Sequence, residues 1–275
     1  MRPEDSLPAR ASRHVLLKEV GAEGALRMAR LSALVIGAGG VGCPAALCLA
    51  EAGVRKITLI DADVVEESNL ARQILHTPAR LGMNKAREGH LKAHADGGPV
   101  SLSPARLGMN KARSACLALQ AVNPDTELEA VETWADAEAI ARHAQGADII
   151  LDCSDNFATR HAANRAALAL GRPLVTVSAI RMSLQVAFFD FSRPDAACYA
   201  CTFPEDDEAD VKASQVGVLA PVTGIAGMIA AGEVLKWAAG MPSLAGSMLL
   251  LDTLSWQMQR LALARDPACP VCGRR

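Results

Sequence analysis

The segment Leu31-Ser-Ala-Leu-Val-Ile36 leads directly into Gly37-Ala-Gly39-Gly40-Val-Gly42, the most informative stretch of the chain. A short apolar run followed by glycines is typical of a strand that ends in a tight turn. The composition of residues 44–53 predicts a helix that ends on glycine, and residues 56–60 predict a second strand. The order strand, glycine turn, helix, strand predicts a β-α-β unit.

The rest of the chain continues to alternate strands and helices. The apolar run at 147–151 predicts a strand, and the alanine-rich stretch to about residue 170 predicts the helix after it. Further strands are predicted at 173–179 and 185–191, and a terminal hairpin at 248–251 and 257–263. This order predicts an α/β fold with a doubly wound, mainly parallel, Rossmann-like sheet and a carboxyl-terminal antiparallel portion. Its ligand is expected at the carboxyl ends of the strands.

Composition narrows the classes of partner. The 275 residues are 51% hydrophobic and 21% charged, which indicates a folded globular chain. A formal net charge of −2 removes the main electrostatic reason to expect nucleic acid or a membrane surface as a partner. Charges such as Glu4 and Arg10 interrupt the amino terminus, so we expect no secretory signal and a cytoplasmic location. The uncharged run at 216–232 predicts a buried helix and its lead-in.

Four of the eight cysteines form two pairs, Cys198-x-x-Cys201 and Cys269-x-x-Cys272. Four thiolates in two such pairs are typical of a closed tetrahedral zinc site with no open position for catalysis. We therefore expect structural Zn²⁺. A redox-active CxxC pair is the alternative, but no thioredoxin-like context surrounds either pair.

The glycine loop, residues 37–42, has the spacing G-x-G-x-x-G, and Asp61 follows at the end of the second strand. Glycines let the backbone approach phosphate oxygens, a helix amino terminus attracts their charge, and the acid can bind a ribose hydroxyl. The pattern predicts a nucleotide site. An NAD-dependent oxidoreductase is one class of protein that it fits.

Polar residues after the strands favour a different class. Asp61-Ala-Asp63 precedes Asn69-Leu-Ala-Arg72-Gln73, and the strand at 147–151 runs into Asp152-Cys-Ser-Asp155-Asn156. A dehydrogenase has no obvious use for this set. Further motifs are Ser12-Arg13-His14, Ile180-Arg-Met182 and Gly217-Val-Leu-Ala-Pro221. With the glycine loop and both CxxC pairs, they resemble the ThiF/MoeB/HesA family, the bacterial relatives of ubiquitin-activating enzymes, over about residues 12–273.

The resemblance implies an adenylyltransferase, an enzyme that uses ATP to adenylate the carboxyl-terminal glycine of a ubiquitin-like sulfur-carrier protein and releases pyrophosphate. The carrier would be of the ThiS/MoaD type, in thiamine, molybdopterin or related biosynthesis. The resemblance also implies ATP, Mg²⁺ and Zn²⁺ as cofactors, a homodimer and an external sulfur donor.

The resemblance assigns roles to individual residues. Asn69, Arg72 and a motif lysine would steady the triphosphate, and Asp155 would hold magnesium. Arg13 would reach across the dimer into the partner subunit's site. The remaining nucleotide-binding residues would be Gly37, Gly39, Gly40, Gly42, Asp61, Asp63 and Gln73.

The motif lysine has two candidates because ten residues occur twice. Residues 78–87 recur unchanged as residues 104–113, so both Lys85 and Lys111 lie in the same local sequence. Family members place this lysine about a dozen residues after the Arg-Gln pair and about a dozen before an Asn-Pro. Lys85 satisfies the first distance and Lys111 the second. We favour Lys85 because the shorter path joins it to Arg72, and we treat about 88–113 as a duplicated insert.

One position departs from the resemblance. Most relatives carry a cysteine on a crossover loop, and Ala213 stands at that position here. No thiol is available there to bond an activated carrier. We therefore expect an acyl-adenylate product without a covalent enzyme–carrier adduct through this loop.

These observations predict one ThiF-type adenylation domain over residues 1–275. It would contain a helical arm (about 1–30), a nucleotide-binding half (about 31–152) and a carrier-binding and zinc half (about 153–275). The alternative function is a zinc-containing, nucleotide-binding scaffold that has lost turnover through the insert and the missing cysteine.

Overall fold

The computed structural model describes residues 9–76, 107–205 and 216–273. In these ranges eight strands form one sheet, and they are β1 (Ser32–Ile36), β2 (Lys56–Ile60), β3 (Glu127–Val131), β4 (Ile149–Asp152), β5 (Leu174–Ile180), β6 (Ser183–Phe189), β7 (Ser247–Asp252) and β8 (Gln257–Ala262). Their order is β3-β2-β1-β4-β5-β6-β7-β8. The first five in that order are parallel, and β5 to β8 are antiparallel. The predicted fold class is confirmed.

Helices cover both faces of the sheet. In the described ranges they are α1 (Ser12–Val15), α2 (Gly21–Arg30), α3 (Gly42–Glu51), α4 (Lys111–Val122), α5 (Ala137–Ala144), α6 (Phe157–Leu170), α7 (Tyr199–Thr202) and α8 (Ala220–Ala239). Successive residues of a strand point to opposite faces. Ala33 and Val35 of β1 therefore pack in one core with α3, α4 and α8, whereas Leu34 and Ile36 pack in the other with α5 and α6.

The edge strand β3 was not predicted from the sequence. Its alternating pattern, Glu127-Leu-Glu129-Ala-Val131, buries no residue fully. The charges have a local function, because Lys56 on the neighbouring β2 lies 3.1 Å from Glu127 and 2.9 Å from Glu129. An edge strand with few apolar residues gives too weak a pattern to be recognised from sequence.

Helix α8 extends beyond the predicted buried run. Glu233 ends the uncharged stretch of sequence, but it is buried inside the helix. Its carboxylate accepts hydrogen bonds from the Leu244 backbone N–H (2.6 Å) and from Lys236 Nζ (2.7 Å), which offsets the cost of burying the charge. By length and composition α8 could cross a membrane, the one such helix found in the described residues. Half of it is buried against the sheet and α3, as in a core helix.

Candidate nucleotide site and four-cysteine cluster

The glycine loop lies at the carboxyl ends of β1 and β4. Gly37 has φ +89°, a conformation that side chains disfavour, and its N–H bonds the Ile60 carbonyl at 2.8 Å. A Cβ on Gly42 would lie 1.8 Å from the Gly37 oxygen, so a side chain cannot fit there. A Cβ on Gly39 would meet only Gln73 Nε2, at 3.8 Å, among the described atoms. The loop therefore has an open side at Gly39 that a phosphate can approach.

Asp61 connects the loop to the residues that follow β2. Its Oδ2 accepts the Ala38 N–H at 2.7 Å, and its Oδ1 accepts the Asp63 N–H at 2.8 Å. Burial raises the pKa of Asp61, although these two N–H donors and the nearby Lys111 act in the opposite direction. Each carboxylate oxygen still has a lone pair for a ribose hydroxyl.

Asn69, Arg72 and Gln73 lie in and after a 3-10 turn at Glu67–Asn69. Asn69 is buried, and its Oδ1 caps the Glu66 N–H at 3.3 Å. The Arg72 guanidinium is partly exposed and donates to the Ser68 carbonyl at 3.1 Å. Gln73 is buried with its amide nitrogen toward Gly39, and its Oε1 has no hydrogen-bond partner among the described residues.

Lys111 is the first residue of α4 and reaches the same region. Its side chain is 9% exposed, and its Nζ lies 2.7 Å from Asp63 Oδ2. Asn110, the residue before it, donates from Nδ2 to the Asp61 carbonyl at 2.7 Å. The structure thus brings Lys111 to the predicted nucleotide site. Lys85 lies outside the described residues, so its role stays a prediction.

The end of β4 supplies a second group of polar atoms. Asp152 is fully buried, and burial raises its pKa despite the opposing charge of Arg160. The Ser154 N–H donates to Asp152 Oδ1 at 3.0 Å, and hydrogen bonding from Ser154 also acts to lower the pKa of Asp152. Asp155, three residues after Asp152, is exposed. A buried carboxylate next to an exposed one is a donor set of the type that Mg²⁺ binds, completed by phosphate oxygens and water.

These atoms fit a nucleoside triphosphate. The backbone is open at Gly39, Lys111 and Arg72 supply positive charge, and Gln73 Oε1 has no hydrogen-bond partner in the part of the chain that the structure describes. Buried polar atoms are normally hydrogen-bonded, so an unpaired one beside an open glycine loop indicates that a polar ligand completes the site.

The four cysteines predicted as zinc ligands come together in the structure, two from residues 198–201 and two from residues 269–272. All four sulfur atoms lie within 4.8 Å of one another. The separations are 3.7 Å for Cys198–Cys269, 3.9 Å for Cys198–Cys201 and 3.4 Å for Cys201–Cys272. Zn–S bonds of about 2.3 Å in a tetrahedron place the sulfurs about 3.8 Å apart. The cluster therefore fits a structural Zn²⁺.

Other site residues lie elsewhere or were missed. Arg13 is exposed on α1, while Ala213 lies outside the described residues. No sequence pattern marks Asn110 as a site residue, and Asp152 is recognisable in the sequence only as part of a motif. The same holds for His76, which contacts the glycine loop at the Ala38 carbonyl. A histidine without metal-ligand spacing gives no sequence signal, because its partners come from distant segments.

The fold and this site define a nucleotide-binding protein of the doubly wound α/β class that carries a four-cysteine cluster. The chain belongs to the ThiF family, whose model matches residues 11–90 and 100–271. The resemblance drawn from the sequence motifs is confirmed.

Individual relatives are consistent with this assignment. The chain is 39% identical over 270 residues to "Adenylyltransferase and sulfurtransferase MOCS3" of Sus scrofa, covering 97% of this chain and 53% of that protein. It is 35% identical to "Sulfur carrier protein ThiS adenylyltransferase" of Escherichia coli K12, covering 96% of this chain and 94% of that protein. The chain thus spans about half the length of the MOCS3 relatives and nearly all of the ThiS adenylyltransferase.

Solved structures share the fold. E. coli MccB with ATP superposes with a TM-score of 0.75 at 19% identity, covering 98% of this chain and 76% of MccB. MccB with a MccA derivative gives a TM-score of 0.76 at 18% identity, covering 98% and 75%. At this identity the likeness concerns the fold alone.

Proposed function

We propose that this chain catalyses ATP-dependent adenylation of the carboxyl-terminal glycine of a ubiquitin-like sulfur-carrier protein, with release of pyrophosphate. One observation carries the proposal. The open glycine loop, Asp61, Lys111 and the Asp152–Asp155 segment meet at the carboxyl ends of the parallel strands. The names of two relatives, which describe adenylyltransferases and a sulfur-carrier substrate, support it.

The chemistry explains why this site needs cations. A carrier carboxylate oxygen attacks the α-phosphorus of ATP, the bond to the bridging oxygen breaks, and pyrophosphate leaves with that electron pair. Two anions must approach, so positive charge has to offset their repulsion. Lys111 and Arg72 supply it within the chain, and Arg13 of a second copy would add to it. Bound Mg²⁺, held by Asp155 with Asp152 nearby, would neutralise charge on the leaving pyrophosphate.

We propose Lys111, rather than Lys85, as the working lysine. Residues 78–87 and 104–113 are identical in sequence, so the repeat itself cannot distinguish the two lysines, and the residues that follow each copy have to distinguish them. Ser114, Ala115 and Leu119 after Lys111 are completely buried. The corresponding residues after Lys85 are Glu88, Gly89 and Ala93.

These replacements would weaken the packing of α4. A glutamate in place of Ser114 would bury a carboxylate, which is costly unless the charge is paired. Alanine in place of Leu119 would leave a cavity, at a cost of about 2–5 kcal/mol. The proposal therefore departs from the preference for Lys85 that the spacing alone suggested.

A protein substrate is supported by the open edge of the sheet. Strand β8 is exposed along its whole length, and large apolar side chains at and before it are exposed, namely Leu254, Trp256, Met258 and Leu261. Unpaired backbone groups and an apolar surface are features that bind a protein partner. We propose that the carrier docks there while its tail extends to the glycine loop.

Five further features belong to the same proposal: the metal, the location, the oligomer, the sulfur donor and the downstream product. The cysteine cluster would hold one Zn²⁺ with a structural role, because four thiolates leave no open position. The chain would act as a cytoplasmic homodimer in which Arg13 completes the partner subunit's site. Sulfur would come from an external donor, with thiamine, molybdopterin or a related product downstream.

ATP–pyrophosphate exchange tests the function directly. Wild-type protein with Mg²⁺ is assayed against a panel of Gly-Gly-ending carriers, and each carrier is also tested without its last glycine. We expect exchange with at least one full-length carrier and none with its truncated form. The alternative, a nucleotide-binding scaffold, would bind ATP and give no exchange with any carrier.

A further inference from the structure

His76 lies buried behind the glycine loop and connects it to α4. The side chain is 2% exposed, its Nε2 lies 2.8 Å from the Ala38 carbonyl oxygen, and its Nδ1 lies 3.0 Å from Ser114 Oγ. The carbonyl can only accept a hydrogen bond, so Nε2 carries the proton. In the neutral ring Nδ1 then accepts the Ser114 hydroxyl proton. Ser114 follows Lys111 by one helical turn.

The peptide of Ala38 is held on both sides. Its N–H donates to Asp61 Oδ2, and its carbonyl accepts from His76 and from Cys43 Sγ at 3.2 Å. Ala38 is the residue between Gly37 and Gly39, so these bonds fix a segment whose neighbours are intrinsically flexible.

The contacts close a ring around the site. Ala38 bonds Asp61, Asp61 bonds the Asp63 N–H, and Asp63 pairs with Lys111. Helix α4 then leads from Lys111 to Ser114, and His76 returns from Ser114 to Ala38. The ring joins the loop proposed to hold phosphates to the lysine proposed to neutralise them.

We propose that His76 is a positioning residue that sets the distance between the glycine loop and Lys111. This inference rests on the proposed function, since it concerns the same phosphate site. A cation and a set of backbone N–H groups stabilise a transition state only when both are placed correctly, and a misplacement of about 1 Å can cost about 100-fold in rate. His76 supplies that placement without touching the nucleotide.

Two substitutions separate positioning from simple stability. The amide nitrogen of His76→Gln reaches the place of Nε2 and can still donate to Ala38, whereas the shorter His76→Asn reaches only the place of Nδ1. We expect His76→Gln to keep exchange within about threefold, and His76→Asn to lose about tenfold or more in kcat for folded protein, about 1.4 kcal/mol. His161→Asn, which truncates another buried histidine on α6, is the matched control and should change the melting temperature without changing kcat.

A double-mutant cycle tests the coupling to the lysine. If His76 acts by placing Lys111 against the loop, the combined loss in Lys111→Met/His76→Asn is smaller than the product of the two single losses. Independent, multiplicative losses would overturn the inference. So would equal kcat for the Gln and Asn variants.

The same cycle can be measured on ATP binding without a carrier, by the rise in melting temperature that ATP causes. If wild-type protein gives no exchange with any carrier, the proposed function fails while this binding cycle still tests the role of His76. If the losses of ATP-binding free energy in the two single variants add up to the loss in the double variant, the proposed role of His76 is overturned.

Discussion

Replacing Lys111 with methionine should separate catalysis from stability. The Lys111 side chain is only 9% exposed, so a much smaller residue would leave a cavity. Methionine has nearly the same volume as lysine and leaves no large cavity. The lost ion pair involves Asp63, whose side chain is 54% exposed, and such a pair contributes at most about 1 kcal/mol to folding. That is about 2–4 °C in melting temperature or less.

The effect on the reaction should be much larger. Removal of one preorganised group that stabilises transition-state charge typically costs about 100-fold to 1,000-fold in kcat, or about 2.7–4 kcal/mol. We therefore expect Lys111→Met to lose at least 100-fold in ATP–pyrophosphate exchange while remaining folded. Lys85→Met, the same change in the identical repeat, is the matched control and should retain most of its activity. A larger loss from Lys85→Met would refute the reasoning that the residues after each repeat select the working lysine.

The remaining predictions concern the metal sites, the dimer and the crossover loop. Freshly prepared, reduced protein should contain about one zinc per chain, and Cys269→Ser should lower both zinc content and melting temperature; folded wild-type protein without zinc would contradict this. Asp155→Ala should abolish exchange with an unchanged melting temperature, since Asp155 is exposed, and normal exchange would disprove its role. Arg13→Ala should also lose activity, and mixing it with Asp155→Ala should restore part of it through hybrid dimers, provided that subunits exchange. Because Ala213 stands where the family resemblance implies a cysteine, mass spectrometry after incubation with ATP and carrier should find no reductant-sensitive carrier adduct, whereas an adduct on another cysteine would show that a different thiol has taken over.

Strong local patterns made most of the fold predictable. The apolar runs of β1 and β2 around the glycine loop, and the CxxC pairs, carry their information in contiguous residues. Edge strand β3 was missed because Glu127 and Glu129 pair with Lys56, a contact that no local pattern reveals.

Site residues that belong to a contiguous motif could be predicted from the sequence. Site residues that the fold brings together from distant segments could not. Asp61 follows the glycine loop at a recognisable spacing. His76 does not, because its partners Ala38 and Ser114 each lie 38 residues away in sequence. The choice between Lys85 and Lys111 needed the burial of Leu119, which identical repeats cannot provide.

The most direct test of the central claim is the mass of the carrier itself after reaction. A carrier that supports exchange is incubated with the wild-type protein, ATP, Mg²⁺ and pyrophosphatase, and its intact mass is measured before any sulfur donor is added. We expect a carrier heavier by one AMP less water, with the addition mapped to the carboxyl-terminal glycine, and we expect Lys111→Met to form this product at least 100-fold more slowly. An unmodified carrier in the presence of demonstrated ATP binding, or AMP attached at any other residue, would contradict the claim.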